Sequence, residues 1–351
     1  MRENKEKTIE FNKKISELYK GTEVSECLWN EDCSGKIVKA HSIQNNRYLS
    51  KISDNGKIIN FGPAITENNE LLWQIKEIGR SSFSTFKGFC GEHDKVLFQE
   101  IEDKDYIKTK EQNFLFAFRA LAKELHAKKE SINRNKKIFE NLKKECDLFI
   151  YIYYPDYLKC LFNQEYLYKF QCKEDALEIL ENDKLTLKLL KLEFEDLKEK
   201  IKNKTYNGIH SFVIEFDKEY PVVSNSTFIP YQNSKFENIF TKEEYDKIQK
   251  GSLNPMIFSN IFPASGKTFI ILSCLEKDRI YLEKFFKDFS GTIEDKKKNI
   301  SMMILRNSEN TAFSPKYIQE KFSEKEKEMI EELFAENMAD TMHYSINLFR
   351  D

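Results

Sequence analysis

Four metal-ligating side chains form two short pairs near the N-terminus. Cys27 and Cys33 make one pair, Cys90 and His93 the other, and His41 falls between them in Lys39-Ala40-His41-Ser42-Ile43. Thiolates and a neutral imidazole are donors that suit Zn²⁺. A structural zinc site commonly takes two ligands from each of two short loops, because one loop can present two side chains to a single tetrahedral ion. Cys27, Cys33, Cys90 and His93 are therefore the expected ligands of a structural Zn²⁺. The loop between Cys27 and Cys33 is wider than most such knuckles. The competing reading is two unrelated buried cysteines and a surface histidine.

The residues around these ligands resemble segments of the HNH (ββα-metal) endonucleases. In many of those enzymes a strand delivers an Ala-His-Ile-type segment, and the module closes with a Cys-x2-His-His-x2-Phe-type segment that begins a helix. This chain reads Lys39-Ala40-His41-Ser42-Ile43 and Cys90-Gly91-Glu92-His93-Asp94-Lys95-Val96-Leu97-Phe98. The resemblance spans residues 24–102. It implies that His41 is the general base that activates water. It also implies that Asp94, where the family carries its last histidine, binds a catalytic Mg²⁺ or Mn²⁺. A base and a Lewis-acidic ion on either side of a phosphodiester supply the nucleophile and stabilise the leaving charge, and a carboxylate is a competent Mg²⁺ ligand. The chain departs from the family at the central Asn, where Ser84, Thr85 and Lys87 stand instead. The alternative is a zinc module kept for structure or recognition, with His41 hydrogen-bonded in a core or itself a zinc ligand.

The elements that must position these groups can be read in outline. Residues 4–20 form a short helix ended by Gly21. Lys36-Ile37-Val38 is a brief strand that delivers His41. Ser53-Asp54-Asn55-Gly56 marks a hairpin between strands Tyr48–Ile52 and Lys57–Phe61, residues 62–82 are mostly loop, and Glu92–Glu102 is helical. From Lys110 the apolar spacing turns helical: Leu115, Phe118, Ala122 and Leu125, extended by Ile132, Ile138 and Leu142, predict a long amphipathic helix. Leu190, Phe194, Leu197 and Ile201 mark a second, over about Lys173–Lys204. Leu148–Tyr154 reads as a strand or short buried helix. After Asn207-Gly208 strands are expected at Ser211–Phe216, Pro221–Val223, Thr227–Ile229, Met256–Phe262, Thr268–Leu275 and Ile300–Leu305, with helices at Phe236–Lys250, Ile280–Phe289, Pro315–Lys321 and Glu324–Phe349. The expected fold is α+β in three parts: a zinc-stapled ββα-metal-like module (1–105), a central long-helix hairpin (106–206) and a C-terminal mixed α+β domain (207–351), the last for recognition or sensing.

Three further motifs carry weaker chemistry. Arg119 and His126 lie two turns apart on one helix face, a spacing that resembles the Arg-x4–6-His pair of the metal-independent HEPN ribonucleases; an ordinary charged helix face is the plainer reading. Phe262-Pro263-Ala264-Ser265-Gly266-Lys267-Thr268 ends like a phosphate-binding loop, but Ile261 stands where that motif needs glycine, so a hairpin turn is expected. Lys128-Lys129, Arg134, Lys136-Lys137 and Lys143-Lys144 give the first long helix a positive side that can follow a phosphate backbone or simply face water.

Composition narrows the class. In 351 residues, hydrophobic residues are 40%, enough for real cores, and charged residues are 32% with a net charge of −2, which excludes a globally basic nucleic-acid glove but not a local basic face. The N-terminus has no apolar secretory core, no apolar run approaches a membrane span, and seven cysteines without dense even spacing do not make a disulfide scaffold. A cytoplasmic location without membrane contact is expected. The leading expectation is metal-dependent cleavage of DNA or RNA, extended by analogy to bacterial anti-phage defence, with nucleic acid as partner and a protein partner or second copy through the helical or C-terminal regions. A non-catalytic zinc-stapled binding or sensor protein is the main alternative, and the metal-independent ribonuclease a second.

Overall fold

The computed structural model describes residues 4–30, 32–67, 71–142, 165–233, 237–335 and 346–351. The expectations at Leu148–Tyr154 and Lys143-Lys144 lie outside them, as does part of the helix expected over Glu324–Phe349. Helix α1 (Lys5–Tyr19) leads into β1 (Ile37–His41), a π-helical turn (Asn45–Leu49), α2 (Ser50–Ile52), β2 (Lys57–Ile65), β3 (Leu71–Gly79), β4 (Thr85–Cys90) and α3 (Gly91–Glu102). Two long helices follow, α4 (Lys110–Leu142) and α5 (Glu165–Lys202). The remainder comprises β5 (Ile209–Phe216), β6 (Val222–Phe228), α6 (Lys242–Gln249), β7 (Ile257–Ala264), β8 (Lys267–Leu275), α7 (Arg279–Phe286), a 3₁₀ turn (Lys287–Phe289), α8 (Ile293–Asn307), β9 (Thr311–Phe313), α9 (Pro315–Lys321) and α10 (Glu324–Ala335). The fold is mixed α+β.

Seven strands form one antiparallel sheet in the order β3-β2-β9-β6-β7-β8-β5, and β1 pairs with β4 in a separate two-stranded sheet. The β2–β3 hairpin thus shares a sheet with strands more than a hundred residues downstream. Four expectations change here. Tyr48–Ile52 is helical, although the turn after it forms as read, with Asn55 and Gly56 at φ 48 and 76. Residues 62–82 are largely strand, because the Trp73/Ile75 alternation packs β3 against the core. Ile300–Leu305 lies inside α8, which begins earlier at a capping box of Thr292 and Asp295 and buries Ile300 and Ile304 one turn apart. The helix expected from Phe236 starts only at Lys242, behind the Thr241–Glu244 capping box.

The sheet separates two cores. On one face Val223, Phe258, Phe262, Phe269 and Ile271 meet α4, α5 and the β1–β4–α3 unit; on the other Ile257, Ile261, Ile270 and Phe313 meet α7 to α10. Helix α4 is the hub. From Phe114 to Leu125 it is buried nearly all round, as an Asn-Phe-Leu-Phe-Ala-Phe-Arg-Ala-Leu-Ala run requires. Its amphipathic character is confined to the second half. Asn310 joins the β1–β4 unit to the large sheet: its side-chain amide donates to the Ser42 and Ser84 hydroxyls at 3.2 Å each and to the Asn225 carbonyl at 3.0 Å.

Candidate metal centre and neighbouring polar groups

The two ligand pairs arrive on different elements. Cys27 and Cys33 lie in the loop after α1, which is tied along β4 by Glu26 N–H to the Lys87 carbonyl (3.2 Å) and Leu28 N–H to the Gly88 carbonyl (2.9 Å). Cys90 ends β4 and caps α3, where its sulfur accepts the His93 N–H at 3.4 Å. His93 is thereby turned back onto the thiols. Its Nδ1 lies 3.3 Å from Cys27 Sγ, 3.6 Å from Cys33 Sγ and 3.2 Å from Cys90 Sγ. One ring nitrogen cannot donate to three sulfurs. Zinc bond lengths place tetrahedral S and N ligands about 3.5 Å apart, and the three separations match that edge. All four ligand atoms lie within 4.8 Å of one another, so the cluster can hold a metal ion, and its donor set is compatible with structural zinc.

Glycine completes the cradle. A Cβ on Gly35 would lie 2.9 Å from Cys90 Cβ and 3.0 Å from its Sγ, so only glycine lets this loop approach, and its N–H donates to Cys33 Sγ at 3.4 Å. Burial opposes ionisation of Cys90. The backbone N–H groups of His93 and Glu92 and hydrogen bonds with the neighbouring thiols outweigh it and hold this thiol below its usual range, which favours the thiolate that a metal needs.

His41 and Asp94 stand outside this cluster. Among the described residues no other group of three metal-ligating side chains is close enough to share an ion. They share two charged neighbours instead. His41 ends β1, Asp94 lies in the first turn of α3, and Tyr48 lies in the π-helical turn. Each carries a covered polar atom without a hydrogen-bond partner among the described residues: His41 Nε2, Asp94 Oδ1 and the Tyr48 hydroxyl. All three lie within electrostatic reach of the same two charges, Arg119 and Glu102. Those two form an ion pair at 2.5 Å, and the buried Arg119 guanidinium also covers the Phe98 ring at 4.0 Å.

Burial dominates the electrostatics of these groups. It pushes His41 below its usual range, against a hydrogen bond to the Ser81 backbone, which favours the neutral imidazole. It pushes Asp94 up, against the pull of Arg119, and the Tyr48 hydroxyl to about 12. The sequence reading missed Tyr48 and Glu102 in this role. Its one available signal was Arg119, a lone charge inside an otherwise apolar helical run.

Arg119 and His126 do not converge on a common site. His126 is buried with its Nε2 3.0 Å from the Val24 carbonyl and its ring against Phe86, whereas Arg119 turns to α3. Much of the basic side of α4 is engaged internally: Lys128 pairs with Asp183 at 2.9 Å, Lys129 with Glu26, Arg134 covers Tyr19, and Lys137 donates to the Lys20 carbonyl, while Lys136 is exposed. Ser265-Gly266 is the tight β7–β8 turn, with φ 52 and 79, and Lys267 pairs with Glu215 at 2.8 Å. No helix among the described residues is long and apolar enough to cross a membrane. No protein-family model matches the chain, and neither does any curated protein or solved structure.

Proposed function

We propose that this chain is a zinc-stapled, metal-dependent nuclease that hydrolyses phosphodiester bonds through His41 and Asp94. The observation that carries this reading is the β1–β4 pair followed by α3, with the Cys27/Cys33/Cys90/His93 cluster on it and the unpartnered His41 Nε2 and Asp94 Oδ1 sharing Arg119 and Glu102 as charged neighbours. A neutral imidazole with an unpartnered nitrogen can take a proton from water. The Asp94 oxygen is a hard donor suited to Mg²⁺ or Mn²⁺, which when bound would polarise the phosphate and stabilise the leaving oxygen. Arg119 and Glu102 fix the charge environment of both groups.

The test is cleavage of plasmid DNA and of RNA with Mg²⁺, Mn²⁺ or EDTA, alongside zinc content. Wild type is expected to cut only with added divalent ion. His41→Ala is expected to lose about 10²- to 10⁴-fold in rate, as removal of a general base does, while retaining its zinc. Zinc-loaded protein that cuts neither substrate under any metal sinks the reading.

A second reading has an observation of its own. The unpartnered atoms of His41 and Asp94 are covered, and Lys128, Lys129 and Lys137 of α4 are engaged with internal partners. Both features suit a non-catalytic zinc-stapled module that binds a partner.

A further inference from the structure

Strand β5 closes one end of the large sheet, and the directions of its backbone groups follow from the register. Ile209 faces Leu275, so Gly208 faces Glu276, and the Glu276 N–H donates to the Gly208 carbonyl at 2.8 Å. Hydrogen-bonded and non-bonded pairs alternate along an antiparallel ladder. His210, Phe212, Ile214 and Phe216 therefore spend their backbone groups on β8. Ile209, Ser211, Val213 and Glu215 point theirs outward, where no strand pairs with them among the described residues.

A cleft of ≈ 440 Å³ lies along this edge. It touches the four consecutive residues Phe212 to Glu215. Successive strand residues face opposite sides, so a cavity lined by all four runs along the strand's open edge. Its far wall is α7, the 3₁₀ turn and the start of α8, through Phe286, Phe289, Lys287 and Lys296. Phe212 stacks on Phe286 with ring centres 4.0 Å apart, giving an aromatic floor. The acidic lining is already neutralised: Glu215 is held by Lys108 and Lys267, Glu283 by Arg279. Lys287 and Lys296 form no ion pair among the described residues.

We infer that the β5 edge is a docking groove for an extended peptide of a partner protein, one that adds a strand to the sheet and alternates apolar or aromatic residues with carboxylates. The outward N–H and C=O groups of Val213 and Glu215 supply the ladder. The Phe212–Phe286–Phe289 floor takes the apolar side chains, and Lys287 and Lys296 take the carboxylates. Open edges are otherwise liabilities that proteins shield with charge or irregularity, and strand addition with alternate side chains in pockets is how such edges recognise peptides. This inference does not rest on the nuclease reading.

The experiment is fluorescence anisotropy on the full chain. The probes are labelled octapeptides alternating Phe or Val with Asp, the same peptides with Lys in place of Asp, and the acidic peptides N-methylated at alternate amides on one edge. The acidic peptides are expected to bind. Lys replacement, one-edge methylation and the double variant Lys287→Glu/Lys296→Glu are each expected to weaken binding about tenfold or more. Val213→Pro removes an outward N–H without touching the β8 ladder, a position where edge strands tolerate proline, and is expected to abolish binding at unchanged zinc content. Absence of binding by the acidic peptides overturns the inference. So does binding that survives one-edge methylation. A concentration-dependent dimer that Val213→Pro dissolves also overturns it, because the occupant is then a second copy of this chain.

Discussion

Cys90 and His93 face one another across the first turn of α3, the Cys90 sulfur accepting the His93 N–H at 3.4 Å while lying 3.2 Å from its Nδ1. The same residue therefore caps a helix, ends a strand and offers a ligand. A metal held there would be coupled through one side chain to the packing of β4 against α3.

Cys90→Ser is expected to lose both. A serine hydroxyl still caps, but it is a poor zinc ligand, so the variant should bind much less than one equivalent of zinc by elemental analysis. Its thermal midpoint should fall by several degrees relative to wild type, and EDTA should lower the wild-type midpoint in the same direction. Unchanged stability in both would remove the metal centre as a structural element.

Gly35→Ala tests the cradle without touching a ligand. The added methyl would meet Cys90 Cβ at 2.9 Å, inside van der Waals contact. Overpacking of this kind costs about 1–3 kcal/mol. Competition with a chromogenic chelator should report weaker zinc binding, with all four ligands still present.

The Arg119–Glu102 pair is buried on one side only: Arg119 is 2% exposed and the Glu102 side chain 22%, so Arg119→Met leaves Glu102 with water as its partner and uncovers the Phe98 ring. Urea denaturation is expected to show a loss of about 1.5–3 kcal/mol, and the double variant Arg119→Met/Glu102→Gln should recover part of it. Equal losses in the single and double variants would mean that the stabilisation comes from packing rather than charge.

A pH dependence should arise where α5 meets the end of β8. Burial pushes Glu193 up to about 7, against the pull of Lys277 at 3.1 Å, and Asp278 up to about 6. Each carboxylate has one covered oxygen without a partner among the described residues. Both groups bind protons more tightly in the folded chain than in the unfolded one. Their stabilising effect is thus complete below the unfolded values and is lost as pH rises through the folded ones. Between pH about 4.5 and about 7 the Glu193 contribution alone amounts to roughly 3 kcal/mol. Glu193→Gln should flatten the decline and raise stability at neutral pH; an unchanged pH–stability curve would contradict the assignment.

Local chemistry was legible in the chain. Short-range signals need no partner, so Thr241-x-x-Glu244, Ser314-Pro315, Asn55-Gly56 and Ser265-Gly266 formed the caps and turns their residues dictate. The candidate ligand cluster was legible for a related reason: soft donors in short pairs have few other uses, and their spacing lets two loops meet at one point. Helices α4 and α5 followed from apolar spacing alone.

Pairing between distant segments was not legible, because a strand's periodicity says which face is buried but not which strand lies beside it. Only the tertiary structure put β2 and β3 into one sheet with β5 to β9, buried the first half of α4 on every side, and left the edge of β5 open. The same applies to the polar groups around Arg119. His41, Asp94 and Arg119 were visible as residues, but Tyr48 and Glu102 joined them only when the π-helical turn, α3 and α4 packed around one ion pair. Charge and burial at that point depend on three elements that no local pattern connects.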